Sequence, residues 1–177
     1  ESYLFTISGS HCSTGTTGTG GCSFAVSEII PATAEMCEIL TVTTRVSSLL
    51  YATNADWNGV AFSNNLGGGL LQLVNTNDIR VLVDGVDYTF AAFIRTGTSL
   101  RISFTNFATA GLAAPSSVAS RMEIVWTVSP TNSGQITDRS SFVLPGCGTV
   151  TDTEIVNAGY GMLGIELDAL VGQDACG

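Results

Sequence analysis

The sequence predicts an all-β protein: an antiparallel β-sandwich of about nine or ten strands in one domain over residues 1–177. Three observations predict it. Turn signals recur roughly every 8 to 12 residues. Between them, apolar and polar residues alternate with period two. No segment keeps a helical period, because Gly111 and Pro115 interrupt the one alanine-rich stretch, residues 106–120. A jelly roll suits the length and strand number, with an immunoglobulin-type Greek key as the alternative. The absence of an internal repeat argues against a propeller or solenoid.

Each element follows from local pattern. Residues 2–8 (SYLFTIS) place Tyr3, Phe5 and Ile7 on one side of a strand. Such a strand pairs within its own sandwich, or reaches into a neighbouring subunit and completes that sheet. Residues 1–22 are read together as this strand and a Ser/Thr/Gly hinge. Residues 23–30 form a strand that Pro31 stops, and 31–36 form a turn. Residues 37–52 are rich in β-branched types and too long for one straight strand, so a bulge is expected near Ser47-Ser48. A loop over 53–59 carries Trp57. Short strands follow at 60–63 and 70–74, around a tight loop at 64–69.

Residues 79–105 carry the strongest signal. Asp84-Gly85 is a two-residue hairpin turn, since both central residues of a type I′ turn need positive φ. That turn sets Val83 opposite Val86, Val81 opposite Tyr88, and Ile79 opposite Phe90. A second turn at Thr96-Gly97-Thr98 sets Ile94 opposite Leu100, Ala92 opposite Ile102, and Phe90 opposite Phe104. The expectation is a three-stranded meander with one apolar face. Residues 106–120 cross between sheets. Residues 121–128 then point Met122, Ile124, Trp126 and Val128 inward. Strands at 135–144 and 149–156 join through Pro145-Gly146, and 160–168 make the last strand.

Composition narrows the function. The chain has no lysine, six arginines and fifteen acids, for a net charge of −9, and only 12% of residues are charged. A soluble monomer usually carries about a quarter. Such a surface suits a protein whose faces are used in contacts or covered by sugar; a secreted β-protein rich in Thr and Ser is the competing reading. Without a basic cluster, nucleic acid is excluded as a partner. No apolar run reaches the roughly 20 residues of a membrane helix.

Five cysteines in a Gly/Thr-rich chain point to an oxidising, extracellular compartment. Cys12 and Cys22 flank the flexible loop STGTTGTGG and form the first expected disulfide. Cys37–Cys147 is the second. Cys176 is left over near the chain end, a candidate for a bond to another subunit.

Catalytic chemistry has little to stand on. His11 is the sole histidine and adjoins Cys12, so no triad is evident. The absence of lysine excludes a P-loop, a Schiff base and a Lys–Asn crosslink. Two carboxylate pairs, Asp152/Glu154 and Glu166/Asp168, are spaced to share one strand face. They are weak candidates for calcium, the one cofactor in view, or for acid–base work on a sugar. A solvated face is the competing reading. Trp57, between Asp56 and Asn58, is the candidate for stacking on a glycan ring, against a role in capping the core.

The function these features favour is a non-enzymatic structural subunit of an extracellular filament, sheath or surface layer. Its partner is itself, and residues 2–8 and disulfides join the copies. A secreted carbohydrate-binding module is the alternative. A viral capsid or fibre subunit would share the assembly logic but lacks a basic arm. A paired-acid hydrolase ranks last.

Overall fold

Alternating apolar side chains create two greasy sheet faces, and neither is stable until the other covers it. A computed structural model describes residues 13–14, 23–50, 57–113 and 119–159. In chain order the strands are β1 (Ser13–Thr14), β2 (Ser23–Ile29), β3 (Thr33–Glu35), β4 (Leu40–Leu50), β5 (Ala61–Asn64), β6 (Leu71–Leu73), β7 (Arg80–Val83), β8 (Val86–Asp87), β9 (Phe93–Arg95), β10 (Leu100–Ser103), β11 (Met122–Pro130), β12 (Gly134–Leu144) and β13 (Gly148–Gly159). One sheet has the order β1-β2-β4-β11-β7-β8, with β6 also on β11; the other has the order β3-β13-β12-β5-β10-β9. The pairing of β3 with β13 is parallel. Among the described residues no helix is long and apolar enough to cross a membrane.

The two sheets face each other strand by strand, as the expected sandwich requires. Trp126 of β11 packs on Phe62 of β5 at 5.5 Å between ring centroids, and Phe24 of β2 meets Phe142 of β12 edge-on at 5.8 Å. Met122, Ile124, Trp126 and Val128 are all buried, as the alternation of β11 requires. Each fully buried side chain of this size contributes roughly 1.5–3 kcal/mol. β2 and β13 run in the same direction on facing sheets, and the Glu28 N–H donates to Asp152 Oδ2 at 2.6 Å between them.

Two turn expectations hold in detail. Asp84 and Gly85 have φ of 49° and 82°, and Val83 pairs with Val86. In β4, Ser48 has φ of 52°, and the ladder to β2 slips there: Ser23 pairs with Leu50 but Ala25 with Ser47. The extra residue in β4 is the bulge expected near Ser47-Ser48.

The meander does not survive. Tyr88 N–H still bonds Val81 O at 2.9 Å. The chain then turns through a 3-10 segment, Thr89–Ala91, and enters the other sheet. β8 and β9 are therefore the outer strands of different sheets, and Phe90 is exposed rather than opposite Ile79. The second hairpin also differs. Ile94 pairs with Ile102 and Arg95 with Arg101, a register shifted by two residues. Parity is kept, so the same side chains face inward.

Smaller corrections follow. The turn expected at 31–36 contains the short strand β3, held by Asn157 N–H to Ala32 O and Met36 N–H to Gly159 O. The loop at 64–69 is a short helical turn, α1 (Leu66–Gly69), capped by Asn65. The expected strands at 2–8 and 160–168 lie outside the described residues.

Candidate functional site: a buried carboxyl cluster and two charged rims

The inward faces carry one polar level where apolar residues would be expected. On β2 the inward series is Phe24, Val26, Glu28; on β4 it is Val42, Thr44, Val46. Asn64 follows Phe62 on β5. Asp138 and Ser140 interrupt Ile136 and Phe142 on β12, and Asp152 lies between Val150 and Val156 on β13. All six polar side chains are buried, Glu28 at 3% exposure and Asp138 at 0%.

Their hydrogen bonds join the two sheets. Asn64 Nδ2 lies 3.1 Å from Glu28 Oε2, 3.0 Å from Asp138 Oδ2 and 3.1 Å from Ser140 Oγ. Its Oδ1 accepts from Leu66 N–H at 2.6 Å. Thr44 Oγ1 donates to Glu28 Oε2 at 3.2 Å and lies 3.1 Å from Ser140 Oγ, which in turn hydrogen-bonds Glu28 Oε2. Asp138 Oδ1 accepts from Gly67 N–H at 2.8 Å. Gly67 has φ of 59°, and a Cβ there would stand 2.3 Å from Ile136 Cγ2, so this approach requires glycine.

Burying acids without a cation is costly. Burial pushes the Glu28 carboxyl up to about 9, and the neighbouring Asp138 charge adds to the effect. Glu28 is therefore protonated at neutral pH and is bonded to Asp138 through that proton. Buried on every side, the cluster meets no substrate from solution. Its chemistry is that of a polar lock between sheets.

Sequence-derived candidates land differently. Trp57 is 2% exposed; its ring packs on Phe107 and Phe104 at 5.2 and 6.4 Å, and Nε1 donates to Leu112 O at 3.0 Å. It caps the core and offers no face to a glycan. Asp152 and Glu154 do not form a solvated calcium face, because Asp152 is buried and its oxygens accept the Glu28 and Thr153 N–H groups. Among the described residues no group of three or more His, Cys, Asp or Glu is placed to hold a metal. Cys37 and Cys147 are both disulfide-bonded. The expected bond between them is corrected by their placement. Cys37 N–H bonds Pro130 O at one end of the sandwich, whereas Cys147 follows Leu144 at the other. The eleven residues of β12 put these ends roughly 35 Å apart. His11, Tyr3, Phe5, Ile7, Cys12, Cys22, Cys176, Glu166 and Asp168 lie outside the described residues.

Sequence reasoning missed Glu28, Thr44, Asn64, Asp138 and Ser140. The signal was present: each is a polar residue in the inward phase of an alternating strand.

The surface offers a second feature. Phe90 and Phe93 are 77% and 53% exposed, and the Arg95 guanidinium sits 5.0 Å over the Phe93 ring. Phe93, Arg95, Arg101, Ser63 and Ser103 line a shallow groove on the outer face of β5, β9 and β10. The far rim of the same sheet, at β3, exposes Glu35 and Glu38.

No protein-family model matches this chain, and no curated protein matches it significantly in sequence. Solved structures do resemble it. The major pilin SpaD from Corynebacterium diphtheriae aligns with a TM-score of 0.54 and 14% identity, covering 76% of this chain and 34% of SpaD. BcpA, the major pilin subunit of Bacillus cereus, aligns at 0.55 and 9%, covering 77% and 40%. The C-terminal domain of the Streptococcus agalactiae AgI/II polypeptide BspA aligns at 0.59 and 11%, covering 77% and 50%. The chain thus spans between about a third and a half of these structures. At such identities the likeness is one of fold alone, that of a β-sandwich.

Proposed function

We propose that this chain is a structural, non-catalytic subunit of an extracellular filament. The observation that carries this reading is the likeness of its sandwich to those of two major pilins. A lysine-free, weakly charged composition and exposed aromatic side chains beside a sheet edge support it. Joining of copies is assigned to residues 2–8, which add a strand to the next subunit. Cys176 locks the joint covalently. Permanent interfaces of this kind bury on the order of 2,000 Å² or more. No glycan role is retained, because Trp57 is buried.

Negative-stain electron microscopy of the native material, before any reducing agent, tests the reading. Regular filaments are expected. Isolated particles of monomer size would overturn it. Removing residues 1–8 is expected to leave folded monomers, and filaments that persist without them would refute strand addition.

A further inference from the structure

The two rims of the six-stranded sheet carry opposite charge. At the β9 rim, Arg95 and Arg101 are directly opposed across the ladder, and Ser63 flanks Arg101 on the other side. Two like charges placed this way repel. Among the described residues neither has a carboxylate partner, although the chain has fifteen acids against six arginines. Of the other four arginines, Arg45 pairs with Glu123 at 3.0 Å and Arg80 donates to the carbonyls of Asn77 and Ile79, whereas Arg121 and Arg139 bond through their backbone N–H groups. Phe93, beside Arg95, is half exposed. The opposite rim is acidic. Glu35 and Glu38 are exposed there, and Ile155, 46% exposed, lies on the adjoining strand β13. Each rim thus combines two like charges with an exposed apolar side chain.

We infer that the β9 rim of one copy docks on the β3 rim of the next, Arg95 and Arg101 meeting Glu35 and Glu38 while Phe93 packs toward Ile155. This rests on the filament reading and adds to the strand of residues 2–8 a second contact surface between copies. The occupant is a second copy of this chain because the two rims are complementary in charge to each other and repulsive to themselves. Self-paired dimers are thereby disfavoured. A contact between two different patches that does not close repeats into an open filament. Side chains make the contact, since the Glu38 carboxylate already accepts the Glu35 N–H at 2.8 Å and blocks backbone pairing at that point.

The test uses the full chain and light scattering with electron microscopy, at low and at high salt. R95E/R101E gives a subunit with two acidic rims, and E35R/E38R one with two basic rims. Each alone is expected to elongate about tenfold more slowly or worse, since rim charges act mainly on association rate. An equal mixture is expected to recover growth, because acidic and basic rims then alternate, and a misfolded variant could not do this. Wild-type growth is expected to slow as salt rises. Variants that assemble like wild type, or a mixture that stays dispersed while wild type grows, would overturn this docking and leave the filament reading intact. Wild type that stays monomeric would overturn both.

Discussion

Replacing Glu28 by Gln isolates the proton held in the core. Glu28 lies between the sheets with its carboxyl raised from 4.5 to about 9, first by burial and then by Asp138. A folded-state value above the unfolded one means the folded protein keeps a proton that the unfolded chain releases. Stability from this group is complete below pH 4.5 and declines as pH rises toward 9. Each unit is worth about 1.36 kcal/mol, so the full loss is on the order of 6 kcal/mol, with roughly 3 kcal/mol already gone at pH 7. Glutamine has the shape of the protonated acid, keeps an N–H toward Asp138, and does not titrate. E28Q is therefore expected to match or fall slightly below wild type at pH 4.5 and to exceed it by roughly 3 kcal/mol at pH 7, less whatever the altered hydrogen bonds cost. For a chain of this size that is about 6–12 °C in melting temperature. Urea unfolding of both proteins from pH 4 to 9 provides the assay. The general repulsion of an acidic chain acts on both and cancels in their difference. A constant gap across that range would refute a protonated Glu28.

Three further outcomes follow from the packing. G67A forces a side chain into left-handed backbone and against Ile136, and is expected to destabilise by roughly 2–4 kcal/mol in chemical unfolding. W57A opens a cavity beside Phe104 and Phe107 and is expected to lose about 3–5 kcal/mol; wild-type Trp57 emission should be blue-shifted and indifferent to added glycans. The Arg45–Glu123 ion pair is largely exposed, so a double-mutant cycle is expected to give less than about 1 kcal/mol.

Much of the sandwich was legible because alternation reports which side of a strand is buried. Met122 through Val128 and the Asp84-Gly85 turn were read correctly on that basis. Alternation does not report which sheet a strand joins. Val81, Val83, Ile94 and Ile102 all point into the same core from two different sheets, so a sheet change at Thr89–Ala91 leaves the pattern untouched. A register slip of two residues is equally silent, and the β9–β10 hairpin took one. The carboxyl cluster was hidden for the opposite reason. Polarity at Asp152 was read as a solvated face, although Val150 and Val156 on the same side mark that face as inward. Glu28 after Phe24 and Val26 sends the same message.

The common direction of β2 and β13 bears on mechanics. A pull drawing β2 toward its N-terminal end and β13 toward its C-terminal end slides the two strands past each other. Contacts between them are then loaded together in shear, instead of being peeled apart one at a time. The Glu28 N–H to Asp152 bond and the polar lock behind it lie on that sliding plane. Resistance to force is set by the unfolding rate rather than by equilibrium stability, so this arrangement makes the sandwich slow to yield along the line in which its own chain would transmit tension.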